Sequence, residues 1–479
     1  MKTIRPIILL IFCSTLYAQG PDRSKPPDLG APPLLTLPPI QHLKLSNGLP
    51  VVLLEKHEVP LVQINLLVRV GSTMDLQDQT GLASMTVSMM EEGAGTRNAL
   101  ELADAIDFLG ASISTGTGTH TSVVALHTPL SKLDSALALF ADVALRPTFP
   151  PDELDRERKQ RLTTLLQWHD EPRSVASVLF NRTLFGTKHP YGLPSIGNEK
   201  NIRSFKVADL SKFYGMHFVP SNSTLIVVGD IAAATLLPKL EALFGSWKSG
   251  MAPTRSWPDV DQVKKREVLL VDKPGAAQSE IRIGRIGAAR LTDDYYPLVV
   301  MNTILGGSFT SRLNTNLREV HGYSYGARTL FDFRPLPGVF LALAAVQTDV
   351  TDSALVEFMK ELRGILETVD AEELTRAKNY VALSFPSEFQ TVGDVAGKLS
   401  EIVLYNLPDG YFNQYVTNIQ AVTADDVQRV ARKYIDPEKV AIIIVGDRKK
   451  VEDGIRGLNL GPLKTMTIED VLGKKPVVQ

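Results

Sequence analysis

Apolar and polar residues recur along the chain with the two periodicities that distinguish strands from helices. Near the start, the segment LKLSNGLPVVLLEK places Asn47-Gly48 between two apolar runs, and this dipeptide favours a type I′ hairpin turn because it tolerates positive φ angles. The segment VPLVQINLLVRVGS is predicted to form a further strand. Amphipathic helices are predicted for the segments TGLASMTVSMMEEG, ALELADAIDFLGA, LSKLDSALALFADVAL and PDELDRERKQRLTTLLQW.

The same order of elements occurs twice, which indicates an internal repeat. The segments FYGMHFVPSNSTLIVVGD and ARKYIDPEKVAIIIVGD each place a helix end, a turn and an apolar strand before a Gly-Asp pair, at Gly229 and at Gly446. The repeat predicts an α+β fold with two similar halves. A segment rich in Gly, Pro, Ser and charge separates them. We therefore assign residues 41–248 to a first domain, 249–265 to a linker and 266–479 to a second domain.

The N-terminal residues have the layout of a secretory signal peptide. A basic start is followed by an apolar run from Ile7 to Phe12 and by a small residue, Ala18, at a plausible cleavage site. This run is too short to anchor the chain across a bilayer. We therefore predict a signal peptide over residues 1–19, a proline-rich tether over 20–40, and a secreted protein.

Composition narrows the classes of function. Apolar residues make up 44% of the chain, charged residues 22%, and the net charge is −2, so neither nucleic acid nor an anionic membrane is an expected partner. No later apolar run is long enough for a membrane span. Cys13 is the only cysteine, and lipidation there is disfavoured because Phe12 precedes it, where such sites need a small residue. Without the signal peptide, the chain has no cysteine for a disulfide, a metal site or a nucleophile.

Several segments resemble the pitrilysin/insulinase-type zinc peptidases. They are the LSNG hairpin, GLASMTVSM, LFGTKHPYGLPSIG, FVPSNSTLIVVGD and LGGSFTSRLNTNLREVHGYSYG. The resemblance covers nearly the whole mature chain. It implies two homologous α/β-sandwich halves of the insulinase/processing-peptidase-like fold, which form a clam-shell with a partner. The resemblance and the signal peptide together imply that the protein is located in the periplasm.

The zinc-binding motif of that family is replaced in this chain. Active members carry H-x-x-E-H on a helix, with two histidine ligands and a glutamate general base, and a second glutamate about 77 residues downstream completes the ligand set. The matching positions hold Ser84, Val87 and Ser88, and the downstream position falls at or near Leu165. Serine is a poor zinc ligand and valine cannot accept a proton. No histidine pair elsewhere has metal-binding spacing, so we expect this chain to bind no metal or other cofactor.

The second half keeps the residues that the family uses around bound peptide. Arg318 and Tyr325 match the arginine and tyrosine that family members direct at the substrate backbone and the scissile carbonyl oxygen. Gly306 and Gly307 match a turn that the family places near peptide. A structural ion pair, a stacked ring and a simple helix stop are the alternative interpretations. Two further arginines, Arg312 and Arg328, are assigned structural roles first.

Loss of the zinc ligands together with retention of the arginine and tyrosine favours a divided enzyme. In this hypothesis the chain is the non-catalytic, substrate-binding subunit of a heteromeric zinc metallopeptidase that degrades or processes peptides. An H-x-x-E-H subunit of the same family is the expected partner, and it would carry the zinc. The alternative is a pseudo-peptidase that acts as a scaffold or peptide-binding protein without a hydrolytic role. A hydrolase of another class is disfavoured, since the chain has no G-x-S-x-G motif, catalytic cysteine or acid pair at helical spacing.

Overall fold

The structure is a computed structural model that describes Gly30, Pro32 and residues 34–478. The predicted signal peptide, Cys13 and most of the predicted tether lie outside the described residues, and Gly30 and Pro32 belong to no helix or strand. Among the residues described, no helix combines the length and the apolar character that a membrane crossing requires.

The first half contains a six-stranded mixed sheet and a small two-stranded ribbon. Its strands are β1 (Gln41–Lys44), β2 (Pro50–Glu55), β3 (Leu61–Val68), β4 (Gly93–Ala94), β5 (Arg97–Asn98), β6 (Ser112–Thr117), β7 (Ser122–Pro129) and β8 (Ser223–Gly229). The sheet order is β1-β2-β8-β3-β7-β6, and β4 pairs with β5. The helices are α1 (Leu82–Ser88), α2 (Ala99–Phe108), α3 (Leu133–Leu145), α4 (Pro151–Trp168), α5 (Pro172–Phe185), α6 (Glu199–Ser204), α7 (Val207–His217) and α8 (Ala233–Phe244).

The second half contains another six-stranded mixed sheet. Its strands are β9 (Glu267–Asp272), β10 (Gln278–Ile286), β11 (Ser324–Phe331), β12 (Val339–Gln347), β13 (Ala441–Gly446) and β14 (Leu463–Met466). The sheet order is β11-β12-β10-β13-β9-β14. The helices are α9 (Tyr295–Asn302), α10 (Arg312–Asn314), α11 (Thr351–Gly364), α12 (Ala371–Ser384), α13 (Val392–Tyr405), α14 (Tyr415–Ala421), α15 (Ala424–Tyr434), α16 (Arg448–Gly457) and α17 (Ile468–Leu472). Wider π-type turns over Thr303–Gly307 and Thr315–Val320 extend α9 and α10.

The two sheets share one topology, so the predicted α+β fold with two similar halves is confirmed. β2-β8-β3-β7-β6 in the first sheet corresponds to β9-β13-β10-β12-β11 in the second, with the same parallel and antiparallel pairs. The two repeated apolar strands are β8 and β13, which end at Gly229 and Gly446. Only the outer strand differs, because β1 pairs antiparallel with β2 whereas β14 pairs parallel with β9.

The hairpin predicted at Asn47-Gly48 is confirmed, but the predicted type I′ turn is wrong. The β1–β2 register begins with Lys44 opposite Pro50, so the turn is longer than two residues. Gly48 has a φ of +92°, whereas Asn47 is not among the described residues with positive φ. The Asn47 side-chain amide instead donates to the backbone carbonyls of Phe244 at 2.8 Å and Trp247 at 3.0 Å. Asn47 therefore ties the turn to the end of α8.

Each sheet buries its second face under a helix from the other half. One face of the first sheet packs on all the helices of its own half except α5, and its opposite face contacts α13 through β3 and β8. Conversely, α5 packs on β10 and β13 of the second sheet. Because both faces are buried, alternate residues of β2 and β13 belong to different cores. This explains why these strands are continuous apolar runs instead of alternating polar and apolar sequences.

The segments outside the two sheets are held against them. Residues 245–266 contain no helix or strand, and the Trp257 indole donates to the Thr73 carbonyl at 3.0 Å. Residues 34–40 are also irregular, yet the Leu37 amide donates to the Asn413 side chain at 3.1 Å. The described end of the predicted tether therefore packs on the second half.

The exchange of helices predicts a large loss of stability on truncating Phe180. This side chain is 1% exposed within α5, and a Cβ on Gly284 of β10 would lie 2.8 Å from its ring. Phe180→Ala should lower the free energy of unfolding by about 3–5 kcal/mol because it leaves a cavity between helix and sheet. Urea denaturation measures this. The control is Phe108→Ala in α2, where the ring is 85% exposed and the expected loss is below about 0.5 kcal/mol. Equal losses would contradict this packing.

Candidate functional site

The helix that carries the replaced zinc motif is fixed at its first turn by Asp75. The Asp75 carboxylate accepts hydrogen bonds from the backbone amides of Gly81 at 2.7 Å and Ala83 at 2.8 Å. Gly81 has a φ of +98°, and a Cβ there would lie 2.6 Å from the Ile196 carbonyl oxygen. Burial raises the pKa of Asp75 to about 7, although the two amides act to lower it. The start of α1 is thus set by a glycine and by a buried acid.

An arginine from α4 lies against the two serines that replace the histidines. Arg161 donates from one terminal nitrogen to Ser84 Oγ at 2.7 Å and from the other to Ser88 Oγ at 3.0 Å. Its Nε donates to Glu157 Oε1 at 2.8 Å, within the same helix. Arg161 and Glu157 are 7% and 9% exposed, so this is a buried ion pair. The guanidinium fork therefore joins α4 to α1.

The four predicted positions do not all lie together. Ser84 and Ser88 both contact Arg161, and the Ser84 hydroxyl also donates to the Ser195 carbonyl at 2.7 Å. Val87 is buried in the core of the first half. Leu165, expected at or near the downstream ligand position, packs against the same core, and Arg161 makes the polar contacts with the serines instead. Arg161 lies 77 residues after Ser84.

The residues at this centre do not fit zinc. Catalytic zinc takes three protein ligands, normally imidazoles and carboxylates, which must be deprotonated. Here both hydroxyls already accept from a guanidinium, whose positive charge would repel a divalent cation. The one carboxylate, Glu157, is paired with that guanidinium. No group of three His, Cys, Asp or Glu side chains elsewhere in the described chain has the geometry of a metal site.

Gly306 and Gly307, the glycines matched to the family's turn, line a cavity beside β11. The turn Thr303–Gly307 passes so close to this strand that a Cβ on Gly306 would lie 2.4 Å from the Thr329 amide nitrogen. Gly306 is buried and its close approach explains the residue type, whereas Gly307 is exposed. Both border a cavity of about 430 Å³. β11 is the edge strand of its sheet, and its outer side is partly covered by this turn and by the Asn314 side chain, which accepts from the Ala327 amide at 3.0 Å.

Arg318 and Tyr325 both follow this turn in the chain, and no hydrogen bond joins them. Arg318 stacks over the Phe309 ring at 4.4 Å and pairs with its neighbour Glu319 at 3.4 Å. That exposed pair contributes little stability. Tyr325 is 93% exposed at an irregularity in β11, and its phenol has no partner in the described part of the chain. The two alternative interpretations, a structural ion pair and a stacked ring, therefore describe part of the surroundings of Arg318. Neither of them describes Tyr325.

Arg312 and Arg328, the two arginines first assigned structural roles, differ in their side-chain partners. Arg312 makes a two-point ion pair with Glu373, at 2.7 Å and 2.5 Å, so its structural role is as expected. Arg328 is exposed, borders the cavity, and has no hydrogen-bond or ion-pair partner among the described residues. The structural role expected for Arg328 is therefore not supported. Sequence reasoning also missed Arg161 and Arg173, since each acquires its neighbours only when distant helices and strands pack.

Two family models match the chain. Residues 50–194 match the model described as "Insulinase (Peptidase family M16)", and residues 204–381 match the model "Peptidase M16 inactive domain". A protein from Rickettsia bellii named "Uncharacterized zinc protease" is 24% identical over 414 residues, covering 84% of this chain and 96% of that protein. A Helicobacter pylori protein named "Non-peptidase homolog YmxG" is 22% identical over 416 residues, covering 86% and 95%.

The fold also matches a solved structure. The crystal structure described as a peptidase M16 inactive domain from Pseudomonas fluorescens is 26% identical, with a TM-score of 0.80, over 85% of this chain and 98% of that one. The similarity therefore extends across both halves.

The buried ion pair predicts an asymmetric response to mutation. Arg161→Met leaves Glu157 buried and unpaired, which should lower the free energy of unfolding by about 3–5 kcal/mol. The double variant Arg161→Met/Glu157→Met should recover most of this loss, because no unpaired charge remains. The control is Arg376→Met, which breaks the exposed pair with Glu372 at the same helical spacing and should cost about 1 kcal/mol or less. Urea denaturation of the set is the measurement, and a double variant as unstable as Arg161→Met would contradict the assignment.

Proposed function

Because this chain belongs to the insulinase family of peptidases (M16), we propose that it is a non-catalytic, substrate-binding subunit of a heteromeric zinc metallopeptidase. The observation that carries the proposal is Tyr325. A 93% exposed tyrosine on an edge strand beside a cavity, with no partner in the described residues, does not stabilise the described fold. It is available to another molecule.

Each residue of this region has a part in the proposed function. The Tyr325 phenol donates a hydrogen bond to the scissile carbonyl oxygen as negative charge develops on it, and one such donor is worth about 2.7–4 kcal/mol. Arg318, held over Phe309, adds positive potential and contacts the peptide backbone. Gly307 borders the cavity, and a Cβ there would lie 2.7 Å from the Asn302 side chain, so the glycine serves the turn itself. Tyr325 and Arg318 act on a peptide whose bond is cut by groups that this chain does not supply.

The hydrolytic groups come from a partner in this proposal. Arg161 occupies the position between the two serines, so the first half has no donor set for zinc and no general base at Val87. An H-x-x-E-H subunit of the same family would supply both. The predicted signal peptide supports an assembly outside the cytoplasm, in the periplasm.

A pseudo-peptidase is the second candidate, and one observation favours it. A relative of similar length is named a non-peptidase homologue. In that case the chain would serve as a scaffold or would hold peptides without contributing to their hydrolysis. The buried arginine centre is compatible with both candidates, since it concerns only the first half. Tyr325 distinguishes them, because only the first candidate gives its phenol a role in turnover.

The two candidates make different predictions for Tyr325→Phe. The chain is co-expressed with the H-x-x-E-H homologue of the same genome, and peptide cleavage is measured for the partner alone and for the complex. The first candidate predicts activity that requires both chains, and a kcat about 100-fold to 1000-fold lower with Tyr325→Phe, because the carbonyl oxygen loses its donor. Assembly, measured by gel filtration, should not change.

The matched control is Tyr380→Phe, at a half-exposed tyrosine in α12 of the same half, which should leave kcat unaltered. Cleavage by the partner alone at the rate of the mixture would contradict the proposed function. So would an assembled Tyr325→Phe complex with the kcat of the unchanged complex, and the scaffold candidate would then be favoured.

A further inference from the structure

The cavity beside β11 has an unusual surplus of positive charge. It is enclosed by the turn at Gly306 and Gly307, by Phe309, and by residues of β10, β11 and β12. Two arginines reach it from distant parts of the chain: Arg173 from the first turn of α5, and Arg328 from β11. One carboxylate, Glu280, also borders it.

A third arginine lies beside that carboxylate and neutralises it. Arg282 is 6% exposed, contacts Glu280 Oε1 at 3.3 Å, and donates to the Arg173 backbone carbonyl at 3.2 Å. Its Nε is buried and has no hydrogen-bond partner. A buried guanidinium N–H without an acceptor is costly, so the site is short of acceptors. Two positive charges, those of Arg173 and Arg328, remain uncompensated.

These two arginines are close enough to Arg282 to repel it. Burial lowers the pKa of Arg282, and the charges of Arg173 and Arg328 lower it further, whereas Glu280 raises it. Both side chains are exposed and neither has an ion-pair partner in the described chain. Arg173 also stands in the first turn of α5, where the helix dipole adds positive potential. An anion bound in the cavity would interact favourably with all of these positive groups.

We propose that this cavity binds a carboxylate of the peptide substrate, either an acidic side chain or the C-terminal carboxylate. The inference rests on the proposed function, because it takes the peptide to lie beside β11. Two exposed guanidinium groups offer the forked donors that match a carboxylate, and the wall at Phe309 and Leu343 suits the adjoining aliphatic carbons.

The position of the cavity relative to Tyr325 determines how far from the scissile bond the substrate carboxylate would lie. Gly326, the next residue, borders the cavity, and Arg328 follows two residues later. Between Ser324 and Ala327, three residue steps of β11 are matched by two steps of β12, so at about 3.3 Å per residue Arg328 is about 7 Å along the strand from Tyr325. An extended peptide with its scissile carbonyl at Tyr325 would present a residue about two positions away to the arginines.

Three labelled ten-residue peptides test the inference by fluorescence anisotropy with the purified chain. The first has one central glutamate and an amidated C-terminus, the second has glutamine at that position and is amidated, and the third has glutamine and a free C-terminal carboxylate. We expect the first or the third to bind about tenfold tighter than the second, through two charge-assisted contacts. Which of the two binds tighter identifies the source of the carboxylate. The preference should weaken at 500 mM salt.

The variant Arg173→Gln/Arg328→Gln should abolish the preference, so that the peptides with a carboxylate bind no more tightly than the neutral peptide. The control is Arg432→Gln, an exposed arginine of α15 that also lacks an ion-pair partner in the described chain, and it should retain the preference. Equal affinity for all three peptides, or a preference that survives the double variant, would overturn the carboxylate site and leave the peptide-binding role intact. Failure of all three peptides to bind would overturn both.

Discussion

The reciprocal exchange of α5 and α13 is the constraint on which the rest of the molecule depends. Each sheet is apolar on both faces, and its own half covers only one of them. The two halves are therefore not independent units in the folded chain, because separating them would expose one face of each sheet to water. The exchange also fixes the relative position of the two regions of interest, since α4 carries Arg161 and α5, which follows it directly, carries Arg173.

The arginine charge is balanced by its neighbours at the centre of the first half, but not in the cavity of the second half. At the centre of the first half, the Arg161 charge is met by Glu157, and each of its three nitrogens donates to Glu157 or to one of the two serines. In the cavity of the second half, two arginines have no counterion among the described residues, and the buried Nε of a third has no hydrogen-bond partner there. A closed polar network stabilises a fold, whereas unsatisfied buried groups require an explanation, and we propose a bound ligand as that explanation in the second half.

Much of the fold could be predicted from the sequence, since the duplicated order of apolar strands and amphipathic helices is a local pattern. The replacement of the two histidines at Ser84 and Ser88 and of the general base at Val87 could also be read from the sequence, because these positions lie on one short helix. Arg161 could not, since the direction of its side chain depends on how α4 packs on α1. The cluster of Arg173, Glu280 and Arg328 was also beyond sequence reasoning, because residues so far apart in the chain meet only through the exchanged helix. The turn at Asn47 shows the same limit, where a tertiary contact overrode a local preference.

Metal analysis tests most directly whether the arginine centre of the first half excludes zinc. The purified chain and its complex with an H-x-x-E-H partner are loaded with zinc, passed through gel filtration, and analysed for zinc per polypeptide. The account predicts no stoichiometric zinc in this chain alone and one zinc per heteromeric pair. One zinc retained by this chain alone, and lost in a Ser84→Ala/Ser88→Ala variant, would contradict it.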